Sequence, residues 1–294
     1  MGRLACVTVA VLLVACRDDH PVYSGTVTAG PLVVDGYVYF AAYDTSGHLP
    51  IYRASIETGD VEMRVTNRSY VYSLAAGLGQ LYWIAALDDG SGLGVFSMAL
   101  ESREPIQLAT LPDVQDRPVL VADGGMVYLK NGVEIDQVHP GGGALQPLFA
   151  ASAHVAHVAV DQQVVYFTTD GPPGSLKRLT ATGASDVATV DGFVGGSFAI
   201  RGGVAFLAAT SGVTRVDLTA GTVDQIRGDA TSSTYASADA TYAITGTLDA
   251  QSLVQVGDVF SPVASGYSRI RGVAFVPGRA YIGEAESLDD VDLP

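Results

Sequence analysis

Cysteine is almost missing from this chain. Only Cys6 and Cys16 occur, so past residue 16 there is no thiol for a disulfide, a metal thiolate or a nucleophile. Lysine is as scarce, with Lys130 and Lys177 alone. Acidic residues number 31 against 16 basic ones, a formal net charge of −15. Such a surface repels phosphate backbones, so no nucleic-acid partner is expected. The same charge keeps an apolar-rich chain from sticking to itself, and a monomer is expected. Beyond the first twenty positions no unbroken apolar stretch reaches the length of a membrane-spanning helix.

What is present is apolar and rich in glycine. Of 294 residues 48% are hydrophobic, 34 are Gly and 16% are charged, far from a disordered composition and enough for one large domain. Val, Thr, Tyr and Gly dominate, and side chains alternate with period two, as in Ile51-Tyr52-Arg53-Ala54-Ser55-Ile56. That pattern predicts an all-β chain.

The N-terminus reads as an address. One charge at Arg3 precedes an apolar run from Leu4 to Ala15, too short to span a bilayer and of the length of a signal-peptide core. The run ends in Leu13-Val14-Ala15-Cys16, which resembles the bacterial lipobox. The resemblance implies a signal peptide over residues 1–15, acylation of Cys16, and a polar tether over 16–22. It also implies a globular part outside the cytoplasm, with the membrane as a partner through the lipid. Two or more acyl chains hold durably where one does not. Arg17 in place of Asp after the Cys favours the outer membrane by the rule of well-studied lipoproteins. Ordinary secretion and an uncleaved anchor are the alternatives.

A unit of about forty residues recurs along the rest. Its cleanest copy is His157 to Val190, HVAVDQQVVYFTTDGPPGSLKRLTATGASDVATV. Aligned on the Val-Tyr-Phe strand, the marker falls at Tyr39, Tyr82, Tyr128, Tyr166, Ala205, Tyr242 and Tyr281. A tight turn precedes each marker, at Asp35-Gly36, Leu78-Gly79, Gly124-Gly125, Gln162-Gln163, Gly202-Gly203, Asp239-Ala240 and Pro277-Gly278. Tiling at this period predicts one β-propeller over residues 23–294, with seven four-stranded blades; a ring of six or eight stays open. The seventh copy is short, so Tyr23 to Thr28 is expected to supply its missing strand.

The copy at 157–190 resembles repeats of bacterial propeller lipoproteins, in which an Asp-x-x-x-Val-Tyr-Phe strand leads to Gly-Ser-Leu-x-Arg and a Gly turn. The first copy, with Asp35-Gly36-Tyr37-Val38-Tyr39 and Thr58-Gly59, is similar to PQQ-like propeller repeats, though Met63 stands where those usually place Trp. The resemblance implies a rigid disc. Its matched residues are turn and core positions and imply no activity.

Candidate chemistry is thin. His154 and His157, three apart on a strand, fall on opposite faces and make a poor metal pair. Asp88-Asp89-Gly90-Ser91-Gly92 lacks the alternating ligands of a calcium loop and reads as a solvated turn. The tail with Glu284, Glu286, Asp289, Asp290 and Asp292 reads as a solvated end. No Gly-x-Ser-x-Gly elbow or phosphate loop occurs. No catalytic residue, cofactor or metal ligand is assigned; Cys16 is the single modified residue expected. A ligand would meet the loops joining second to third strands and the links between blades, which include Asp44–Leu49, Asp170–Gly174 and Asp113–Arg117. The sequence thus favours a lipid-anchored, non-catalytic propeller that binds a small ligand or an envelope protein at one face. The alternatives are a metal-dependent propeller hydrolase or lactonase, and a subunit of an envelope assembly machine.

Overall fold

The computed structural model describes residues 20–66, 69–111, 114, 116–123, 125–171, 174–193 and 195–293. Cys16 and the expected signal peptide lie outside them. Among the described residues twenty-eight strands run in chain order: β1 (His20–Ser24), β2–β5 (27–65), β6–β9 (71–111), β10–β13 (119–150), β14–β17 (155–190), β18–β21 (199–227), β22–β25 (231–267) and β26–β28 (272–292). They form seven four-stranded antiparallel sheets, six built from consecutive strands and the seventh in the order β1-β28-β27-β26. The chain is a seven-bladed all-β propeller.

Each second strand is buried along almost its whole length, as in β3 (Tyr37–Ala42) and β15 (Val164–Thr169). It is the middle of a sheet packed on both faces, so period-two alternation gives way to a continuous apolar run. Tyr39 packs toward blade 2 and Tyr82 toward blade 3, while Phe40 and Trp83 pack back toward the preceding blade. The fifth marker is therefore Phe206, which packs with Ala243 and Val254 of blade 6; Ala205 faces blade 4. The Gly202-Gly203 turn sets this frame, because a slip of one residue turns every side chain to the other face.

Most hairpins before the marker are the tight turns their sequences demand. Asp35-Gly36, Leu78-Gly79 and Gly202-Gly203 have positive φ at both central residues. In the sixth copy Ser237 closes a looser turn instead, its Oγ accepting from the Ala240 amide at 3.0 Å. Gln162 and Gln163 hold φ of 49° and 66° without a glycine, and Asp123 of the neighbouring blade accepts the Gln163 amide at 2.9 Å. Replacing the pair by Asn-Gly removes the cost of left-handed side chains. The double variant should gain about 1 kcal/mol in denaturant unfolding; a loss would mean the Asp123 contact needs the glutamine backbone as it stands.

The second copy lacks a Gly turn between its third and fourth strands, and Arg64 holds that turn from blade 1. Its buried guanidinium donates to Leu100 O at 2.8 Å and Ser102 O at 2.6 Å. Glu62 gathers Arg53, Arg64 and Arg103 around one carboxylate.

The ring closes as the sequence predicts in kind, with two corrections. The closing strand is His20–Ser24, not Tyr23–Thr28; Val27 and Thr28 already belong to the inner strand of blade 1, β2 (Val27–Val34). The boundary at 22/23 between tether and propeller thus falls inside β1. Second, the acidic tail is no solvated end. Residues Ser287–Asp292 form β28, and Glu284 and Asp289 are buried. Glu284 accepts from the Ser268 amide at 2.9 Å and the Ser287 hydroxyl at 3.0 Å, so its negative charge is spent on loop geometry. Next to the closure, a Cβ on Gly272 would stand 2.3 Å from Gly30 O. Blade 7 meets blade 1 too closely there for any side chain.

Candidate functional site

Alternation of strand direction puts the blade links and the loops between second and third strands at one end of the channel. Two positions after each marker, on the face toward the following blade, stand Ala41, Ile84, Thr168, Ala208, Ile244 and Gly283 in six blades. In blade 3 the residue is Lys130, on β11 (Met126–Asn131), with 2% of its surface exposed. A charge at an apolar repeat position is costly unless it is paired.

Lys130 is paired. Its Nζ lies 2.5 Å from Asp116 Oδ2, in the link before blade 3, and 3.4 Å from the Arg117 carbonyl. The same Asp116 oxygen is 2.8 Å from His154 Nε2, in the link before blade 4. His154 Nδ1 in turn lies 2.6 Å from Asp170 Oδ2, at the start of the loop between the second and third strands of blade 4, so the ring can donate to a carboxylate on either side. Burial pushes the Asp116 carboxyl up, but Lys130, the Arg117 amide and His154 outweigh it and hold it at about 2. Asp116 is therefore an anion at any physiological pH.

This chain of contacts borders a cavity of about 320 Å³ at the channel mouth, whose polar lining includes Ser73, Asp116, Arg117, Lys130, His157 and Arg271. Tyr72 forms another part of the wall and continues into a shallower hollow of about 460 Å³ with Tyr70, Val114, Asp116 and Arg117. The two tyrosine rings meet edge to face at 4.9 Å. Arg117 is exposed, its guanidinium donating to the Thr28 carbonyl at 3.3 Å. Arg271 is exposed too. Ser73 accepts the Leu120 amide at 3.0 Å and so fixes the inner strands of blades 2 and 3 against each other.

His157 follows a bulge in the inner strand of blade 4, β14 (Val155–Asp161), which turns it into the channel. It stands edge-on to Phe198 at 5.7 Å, and its Nδ1 has no hydrogen-bond partner among the described residues. Burial first and the Lys130 charge second lower its pKa to about 4, so the ring is neutral at neutral pH.

His154 and His157 do not share a strand as their spacing suggests: His154 lies in the link before β14, and the bulge between Val155 and His157 breaks the alternation, so that Val155 and Val158, three apart, pack in one core. Asp89 serves its own turn, accepting the Ser91 amide at 2.9 Å, while Asp88 accepts the hydroxyl of Ser69, in the link before blade 2, at 3.0 Å. Among the described residues no group of three or more His, Cys, Asp or Glu could hold a metal ion. Of the loops expected to form a ligand face, those carrying Asp116, Arg117 and Asp170 do converge. Lys130 was not among the sequence candidates, although its place in the repeat frame is a signal that could have found it.

Larger hollows lie elsewhere. One of about 610 Å³ sits beside Trp83, Asp88 and Asp89. Another of about 530 Å³ opens at the opposite end between blades 6, 7 and 1, with Asp239 its single charged lining residue. Neither combines cationic side chains with a polar floor.

No family model matches this chain, and no curated protein does. Solved structures do. A WD40 β-propeller domain of Doa1 superposes with a TM-score of 0.65 at 13% identity, over 92% of this chain and 97% of that one. A computationally designed protein, Ika8, gives 0.60 at 11% identity, over 94% and 98%. The extracellular domain of the one-component system BT4673 from B. thetaiotaomicron gives 0.66 at 11% identity, over 92% of this chain and 40% of that one. The likeness is one of fold. At these identities it assigns no ligand, and the propeller's chemistry must be read from its own residues.

Proposed function

We propose that this protein is a non-catalytic binding module, held at the bacterial cell envelope by an acylated Cys16, which receives its ligand at the link-side mouth of the propeller channel. The observation that carries the reading is Lys130, a buried charge at a repeat position that is apolar or small elsewhere, tied to Asp116 and through it to His154 and Asp170. A hydrophobic residue there would keep the core and spare the desolvation of an ion. A fixed charge beside an open cavity supports binding. The likeness to part of the extracellular domain of BT4673 supports such a disc outside the cell.

The test is a thermal-shift screen of polar metabolites against the full-length protein in detergent and its Lys130→Met variant. A ligand at a hundred times its Kd should stabilise the wild type by ~2.7 kcal/mol and leave the variant's melt unmoved. Hits that shift both alike would place binding elsewhere. A melt lowered by chelator would instead favour a metal-dependent enzyme. Mass spectrometry of the N-terminal peptide from the native producer checks the anchor, expected as diacylglyceryl-modified Cys16; a bare sulfur would remove it.

A further inference from the structure

We infer that the link-side cavity is a site for a small carboxylate that carries a ring, the carboxylate held by Arg117 and Arg271 over Lys130 and the ring lying against Tyr70 and Tyr72. The inference rests on the binding-face reading above and names the ligand class.

The charges come first. In a chain with 31 acidic and 16 basic residues, three cationic side chains line one cavity of about 320 Å³, with Asp116 the one carboxylate in its wall. Asp116 is already engaged by Lys130 and His154, and that pair leaves little net charge. Among the described residues Arg117 bonds to a backbone carbonyl and forms no ion pair, and the Arg271 guanidinium has no ion pair among them either. Two guanidinium forks at the rim of a polar hollow match the planar, two-oxygen geometry of a carboxylate. The ion-paired Asp116 carboxylate beneath them disfavours a dianion such as phosphate, which would set two more negative charges beside it.

The neighbouring surface supplies the ring. Tyr72 belongs to both hollows, and the second adds Tyr70 and Val114 while keeping Arg117. A ligand whose acid group meets Arg117 thus has the edge-to-face tyrosine pair beside it. Aromatic side chains bury flat apolar surface at little entropic cost. The volume of the inner cavity suits a head group and not a polymer.

Calorimetry on the full-length protein in detergent at pH 7 tests this. The probes are benzoate and D-glucuronate, with benzamide, D-glucose and inorganic phosphate as counterparts. At least one acid should bind tenfold or more tighter than its neutral counterpart and than phosphate. Arg271→Met and Lys130→Met should each weaken it tenfold or more with an unchanged fold, and Tyr72→Ala should weaken it while leaving acetate unaffected. The inference falls if neither acid binds, if phosphate binds as well, or if Arg271→Met changes nothing. A neutral hit from the metabolite screen, lost in Lys130→Met, would keep the binding face and remove the carboxylate. The absence of any hit at that mouth would remove both.

Discussion

Removing the chain up to Ser24 should lower the melting temperature by about 15 °C, comparing a chain that begins at Arg17 with one that begins at Gly25. The lost strand pairs with β28 at four positions, from His20 opposite Asp290 to Ser24 opposite Ser287. Its Tyr23 packs on Phe40 at 5.2 Å and Tyr52 at 5.0 Å, and its hydroxyl donates to the Tyr43 carbonyl at 2.8 Å. An aromatic side chain lost from such a contact costs ~3–5 kcal/mol. Ladder bonds add ~1 kcal/mol each, and the freed residues regain chain entropy that offsets part of both. A net loss of about 5 kcal/mol corresponds to ~10–20 °C for a domain of this size. The deletion also bares the edge of β28, so the truncated protein should self-associate as it unfolds. A peptide spanning residues 17–26, added in trans, should restore much of the melt. An unchanged melting temperature would show that blade 7 closes without the N-terminus.

Acidification should cost up to about 3 kcal/mol through one histidine. His157 holds a folded pKa of about 4 against an ordinary 6.5. From pH 6.5 downward the unfolded chain takes up a proton that the folded one refuses, so unfolding is favoured until the folded ring protonates near pH 4. The gap of two to three pH units at ~1.4 kcal/mol each sets the size of the effect. The other ionic side chains of its cavity are Asp116, Lys130, Arg117 and Arg271. Asp116 acts in a different window: its pKa of about 2 lies below the ordinary 3.8, so its stabilisation is complete above 3.8 and fades as pH falls through about 2. Urea unfolding between pH 7.5 and 4.5 should therefore show a steeper decline for the wild type than for His157→Asn. Parallel curves would mean that the ring gains its proton in the folded state without penalty.

Much of this architecture can be read from the chain because turn chemistry and strand pattern agree. Blade count, strand count and the closure of blade 7 by the N-terminus follow from repeats whose turns fix their own φ. The errors came where a local pattern was ambiguous. Ala205 and Phe206 are both apolar, and only packing against blade 6 decides which is the marker. The acidic tail looks solvated by composition, yet β1 and the Ser268 loop give Glu284 and β28 partners from distant parts of the sequence. The mouth of the channel was half legible. The loops that meet there were foreseeable from topology, whereas the contacts of Asp116 with Lys130 and with His154 span 14 and 38 residues and leave no trace in spacing.

The direction of β1 bears on how the disc would stand above a lipid surface. As the outermost strand of blade 7 it runs toward the link side and enters blade 1 there, so its first residue, His20, emerges at the underside. Three residues separate His20 from Cys16, a leash of at most ~15 Å. With acyl chains on that cysteine, the rim of blade 7 would rest close to the headgroups while the Lys130 mouth looked away from the bilayer toward open solvent.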